Sequence, residues 1–165
     1  MTNRAAFTDD EWTLLRVTPS FVSVGVAAAD PSGLFASINE ALAGAQAVTE
    51  WLNTKRDVEL FSALAADASA PALPDVDALL GRGSEEARME NFKTAALARV
   101  RNAIDLLNRK ASPNELAAYR QLLLRVAADA ANASKEGGFL GIGGVRVSDK
   151  ERAFIDRVRA AAGIG

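Results

Sequence analysis

The sequence predicts an all-α protein, a single globular bundle of six or seven helices with a Gly-rich loop before the last one. Three observations predict it. Alanine, the strongest helix former, occurs 34 times in 165 residues. Apolar residues recur at spacings of three and four, the helical period, in every long segment. Helix start signals recur along the chain, whereas no segment shows sustained strand alternation; Val145-Arg146-Val147 is too short to count.

Local chemistry justifies each element of the first half. Thr8-Asp9-Asp10-Glu11 is a capping box, in which the threonine hydroxyl serves the third helical amide and Glu11 reaches back. It opens a short helix to about Arg16, with Trp12 and Leu15 on one face. Thr18-Pro19 then reads as a cap before a proline at the first helical position, where the missing N–H costs nothing. That second helix runs to about Asp30, and Pro31-Ser32-Gly33 ends it. A third helix spans residues 33–53 through Leu34, Ile38, Ala41, Leu42, Ala45, Val48 and Leu52. Residues 55–68 repeat the pattern with Val58, Phe61, Leu64, Ala65 and Ala68. Either Thr54 and Asp57 cap this segment as a separate helix, or it continues the one before. Ser69-Ala70-Pro71-Ala72-Leu73-Pro74 breaks any helix, and Asp75 to Leu80 amounts to one turn before Gly81-Arg82-Gly83.

The second half is cleaner. Ser84 caps a long helix to about Lys110, with Met89, Phe92, Ala96, Val100, Ala103 and Leu107 as its stripe. Ser112-Pro113-Asn114-Glu115 joins a capping box to a proline at the first position, and its helix reaches Ser134. The Gly-rich loop, residues 137–144, follows. Ser148-Asp149-Lys150-Glu151 is a third box, and Gly163 stops the last helix after Phe154, Ile155, Val158, Ala161 and Ala162. With so much alanine in the stripes, the large residues Trp12, Phe21, Phe35, Trp51, Phe61, Phe92, Phe139 and Phe154 are expected to supply much of the buried area.

The length fits one domain over residues 1–165. It divides into an acidic half, 1–80, with 4 Lys/Arg against 11 Asp/Glu, and a basic half, 81–165, with 15 against 10. A Pro/Gly connection near residues 69–84 separates them. The start has no apolar stretch of a secretory leader, and the most apolar run, Phe21 to Ala29, is far short of the ~20 residues of a membrane span. The expectation is a soluble, cytoplasmic protein without a membrane span. Fourteen arginines against five lysines, beside the Ala, Gly and Asp load, suggest a GC-rich bacterial genome.

Composition excludes much chemistry. Without cysteine there are no disulfides, thiolate metal sites or cysteine nucleophiles; without histidine there is no Ser-His-Asp catalysis or His-based metal site. The acids Asp30, Glu40, Glu50, Asp57 and Glu59 are scattered over three segments, with no calcium-loop spacing. No metal, cofactor or catalytic residue is therefore assigned, and the chain reads as a non-enzyme. The bases Arg88, Lys93, Arg99, Arg101, Arg109, Lys110, Arg120 and Arg125 lie mostly on polar helix faces, interrupted by Glu90, Asp105 and Asp129. Such a stripe, at a pI near 5.3, makes nucleic acid an unfavoured partner.

The most unusual stretch is the Gly-rich loop. Gly141-Ile142-Gly143 lacks the preceding strand of a dinucleotide motif, and Val145 stands where a phosphate loop needs lysine. What remains is a pliant backbone carrying Phe139, Leu140 and Ile142. These residues either tuck under the bundle end or form a loop that meets a partner or ligand. The leading functional expectation is a non-catalytic interaction module, self-associating or binding another protein. The alternative is a bundle that binds a small apolar ligand beneath the loop. Anion or nucleic-acid binding by the basic half is a third class.

Overall fold

The computed structural model describes residues 2–29, 46–67, 69, 71–136 and 147–165. Among the described residues there are seven α-helices, one 3-10 helix (Arg4–Ala6) and no strand. The all-helical expectation holds.

Helix α1 (Asp9–Ala27) starts on the predicted box: Thr8 Oγ1 accepts the Glu11 N–H at 3.2 Å, and the Glu11 carboxylate accepts the Thr8 N–H at 2.9 Å. It does not stop at Arg16. The two helices expected before residue 30 are one, with Pro19 inside it. A proline within a helix leaves the carbonyl four residues back without its donor. That carbonyl belongs to Leu15, and the buried Tyr119 hydroxyl donates to it at 2.8 Å. Thr18, expected as a cap, instead donates its hydroxyl to the Leu14 carbonyl at 2.7 Å.

Helices α2 (Gln46–Thr54) and α3 (Glu59–Ala66) are separate, divided by a turn at residues 55–57. Neither predicted cap opens α3. Val58 takes the cap position with no side-chain hydrogen bond, and the Leu60 N–H is met by Glu115 at 3.2 Å from the far half of the chain. Helix α4 (Val76–Leu80) is the single turn expected, capped by Asp75 and closed by Gly81 at a φ of +65°, which favours glycine.

Helix α5 (Glu85–Lys110) opens on Ser84, whose hydroxyl accepts the Ala87 N–H at 3.2 Å. Acids fill its first turn and bases its last, as the helix dipole favours. Helix α6 (Pro113–Glu136) opens on both bonds of the Ser112–Glu115 box. Helix α7 (Asp149–Ala161) opens on the Ser148–Glu151 box. It closes with Gly163 at a φ of +67°, its N–H on the Ala160 carbonyl and the Ile164 N–H on that of Arg159. That pair of bonds is a Schellman closure.

The helices pack around one cluster of buried residues. Helix α1 lies against α5, α6 and α7, and α7 also touches α5 and α6. Helix α4 rests on α5, and α2 rests on α3 and α6. Phe21 and Phe92 stack at 5.2 Å between centroids, joining α1 to α5. Trp12, Phe61 and Phe154 are buried as expected, while Trp51 is only partly buried, edge-on to Phe61 at 5.4 Å. Phe35 and Phe139 lie outside the described residues. Alanine has its predicted role at Ala96, Ala103 and Ala127, all fully buried. The closest approach is at Gly25 of α1, where a methyl group would lie 2.5 Å from Cζ of Phe154. No described helix is long and apolar enough to cross a membrane.

Candidate functional site

Two groups of polar side chains stand out, and their chemistry differs. The first forms at the start of α6. The box places Glu115 at the third helical position, where its carboxylate accepts the Ser112 N–H at 2.9 Å and the Ser112 hydroxyl at 2.7 Å. Tertiary packing then adds the Thr2 hydroxyl at 2.6 Å and the Leu60 N–H at 3.2 Å. Glu115 is 6% exposed. Burial pushes its carboxyl up, but the hydrogen bonds from Thr2, Ser112 and Leu60 outweigh that and hold it below its ordinary range.

A polar cleft of about 420 Å³ opens beside it, lined by Thr2, Asp57, Glu59, Lys110 and Asn114 among others. Lys110 is committed elsewhere: its ammonium donates to Glu11 at 2.6 Å and to the Ala6 carbonyl at 3.1 Å, and lies 5.6 Å from the Phe7 ring. Two hydroxyls beside a carboxylate resemble a nucleophile and its base. A carboxyl held below its ordinary range is a weak proton acceptor, however, and four donors already occupy this one. Its arrangement fastens the chain start, α3 and α6 together.

The second group lies along α5. Arg88, Phe92, Ala95 and Arg99 follow at steps of four, three and four, so they share one face. Phe92 is fully buried against Phe21, and the Arg99 guanidinium sits 4.3 Å over the Phe21 ring. Arg99 is half-buried, and burial lowers its pKa. Among the described residues no carboxylate pairs with Arg99 or with Arg88, whose buried Nε has no hydrogen-bond partner. Neighbouring bases are paired: Lys93 and Arg157 both reach Glu90, at 2.7 and 2.9 Å.

The expected basic face thus divides. Lys93, Lys110 and Arg125 hold ion pairs, and Arg120 donates to the Ala162 carbonyl at 2.8 Å. Arg101 and Arg109 are exposed to solvent. Arg88 and Arg99 are left as the partly buried bases with neither a carboxylate nor a hydrogen-bond acceptor among the described residues. The loop residues Phe139, Leu140 and Ile142 lie outside the described residues. Elsewhere Leu73 is the one large apolar side chain that is exposed among the described residues. No group of three or more acids there could hold a metal ion.

Sequence reasoning named Arg99 only as one base of eight and did not single out its stacking on Phe21. The step of seven from Phe92 was the available signal. Glu115 was read as a local cap, and nothing in the sequence signals its bonds to Thr2 and Leu60. Comparison with protein-family models, with curated proteins and with solved structures finds no match.

Proposed function

We propose that this protein is a non-catalytic interaction module that receives a negatively charged partner on the α5 face centred on Arg99. One observation carries the reading: a half-buried guanidinium, stacked on Phe21, has no counter-charge among the described residues. A charge taken partly out of water without a partner is costly, and an incoming anion removes that cost. Stacking on Phe21 holds the guanidinium in one place, so less freedom is lost on binding. The reading keeps the expectation of a bacterial, cytoplasmic protein.

Retention on an immobilised polyglutamate column tests it. The wild type is expected to be held at low salt and released as salt rises. Arg99→Gln should elute markedly earlier, and Arg101→Gln, which removes an exposed charge from the same helix, should elute much less early. An unretained wild type, or equal shifts for both variants, would end the reading.

A further inference from the structure

Independently of the Arg99 face, we infer that the segment Pro71-Ala72-Leu73-Pro74 is a recognition strap for a second protein, one with an aromatic-lined groove and a basic rim. Residues 71–75 form no helix, strand or turn; Ala72, Leu73 and Asp75 are exposed, and both prolines are half-buried. Two prolines three residues apart are the spacing of segments read in the polyproline II conformation. Covalent chemistry favours that conformation here. Each proline ring fixes its φ at about −65°, and Pro74 pushes Leu73 out of the helical region. Asp75 is extended at a φ of −64° and a ψ of 102°. Such a helix has about three residues per turn, so Pro71 and Pro74 share one edge and Leu73 stands on the next.

Polyproline II backbone makes no internal hydrogen bonds. Residues 71–74 make none to the rest of the chain among the described residues, so their carbonyls are left to water or a partner. Both ends of the strap are pinned. Upstream, Arg16 donates to the Ser69 hydroxyl and to the Asp67 carbonyl, each at 3.1 Å, and the Ser69 N–H donates to the Asp67 carboxylate at 3.0 Å. Downstream, Val76 and Leu80 are buried, and Asn91 donates to the Leu80 carbonyl at 2.9 Å. A segment held at both ends in its binding conformation loses little freedom on docking.

Asp75 and Asp77 follow Pro74, both exposed and without an ion pair among the described residues, and they set the sign of the partner's rim. Aromatic rings of the groove take Pro71 and the Leu73-Pro74 pair, and their hydroxyl and indole N–H groups meet the strap's carbonyls. Lysines or arginines of the rim meet the two acids. The same acids repel a nucleic acid. A second copy is a poor occupant, because among the described residues every aromatic ring except that of Trp51 is buried.

Two forms of one SH3-type domain test the inference: a parent with acids on its groove rim, and a variant with those acids replaced by lysine. NMR titration of the full chain is expected to show the lysine-rimmed form bound at least about fivefold tighter. The amides of Ala72 and Leu73 should shift most, and a polyproline decamer should displace the chain. Leu73→Ala and Pro71→Ala should each weaken binding at least about fivefold, with helical circular dichroism unchanged. Arg99→Gln should leave the affinity as it is. No binding by the lysine-rimmed form, equal binding by both forms, or binding that survives Leu73→Ala overturns the inference. Binding that is lost in Arg99→Gln instead overturns it too, and leaves the polyglutamate reading of the α5 face standing.

Discussion

The Tyr119 hydroxyl donates to the Leu15 carbonyl at 2.8 Å, and this is the carbonyl that Pro19 leaves without a helical donor. One side chain of α6 thereby lets α1 pass through a proline unbroken. Tyr119 is fully buried, and that burial pushes its phenol pKa up, so the hydroxyl remains a donor at any ordinary pH.

Tyr119→Phe is expected to destabilise the protein by about 1–3 kcal/mol, because it orphans a buried carbonyl. The loss should be smaller in a Pro19→Ala background, where residue 19 regains an N–H for Leu15. Denaturant unfolding of the four proteins measures the coupling. An equal loss in both backgrounds would show that the hydroxyl does not stand in for the missing amide.

Much of the fold was legible because its signals are local. A capping box is four consecutive residues, and the starts of α1, α6 and α7 fall where the boxes place them, as the start of α5 falls where the Ser84 cap places it. The break expected at Thr18-Pro19 is absent because its remedy lies on α6, a hundred residues away. The start of α3 fails as a sequence reading for the same reason, since the carboxylate meeting Leu60 belongs to α6. Local chemistry names a helix end only where its partners are local too.

Gly25 is a second such case. Nothing local in the sequence marks it, yet the Phe154 ring of α7 packs directly on its backbone. Alanine is the better helix former by about 1 kcal/mol, so Gly25→Ala would stabilise a free helix. Here the added methyl meets a buried ring at 2.5 Å. We expect a net loss of about 1–3 kcal/mol in thermal or chemical unfolding, as for other overpacked cores. Phe154→Leu should lessen the penalty for the alanine. A stabilised Gly25→Ala protein would mean that α7 does not press on α1 at this point.

The candidate site was legible to a different degree. The bases were visible in sequence, but which of them lack a partner depends on packing: Glu90 meets Arg157 from α7, and Glu11 meets Lys110 from the end of α5. Charge patterning along one helix cannot reveal such pairings.

Acid sensitivity follows from Asp67. Its carboxylate accepts the Ser69 hydroxyl and N–H and the Trp12 indole N–H, and it pairs with Arg16 at 3.3 Å. The Ser69 hydroxyl and the Trp12 N–H do most to lower its pKa from 3.8 to about 2. A carboxyl whose pKa is lower when folded stabilises the protein above its unfolded value and loses that contribution as pH falls through the folded value. The advantage of the wild type over Asp67→Asn should therefore hold near pH 6 and shrink between about pH 4 and pH 2. Urea unfolding of both proteins across that range measures it. A pH-independent difference would assign Asp67 a packing role without a charge component.

Glu115→Gln separates a local cap from a long-range fastening. A capping box accepts Glu or Gln at its third position, so a local role predicts a small loss, no greater than the roughly 1 kcal/mol expected for Ser112→Ala. The structure sets a harder requirement. One oxygen of Glu115 receives donors from Thr2 and Ser112, and the other receives the Leu60 N–H. A glutamine amide offers one oxygen and one NH2 group. In either orientation its NH2 faces a donor that had an acceptor before. The substitution should cost about 2–3 kcal/mol, more than removing the Ser112 hydroxyl. Hydrogen exchange gives the local readout, since the Leu60 amide should lose protection in Glu115→Gln and keep more of it in Ser112→Ala. Equal stability of the two variants, with the Leu60 amide equally protected in both, would reduce Glu115 to the cap of its own helix.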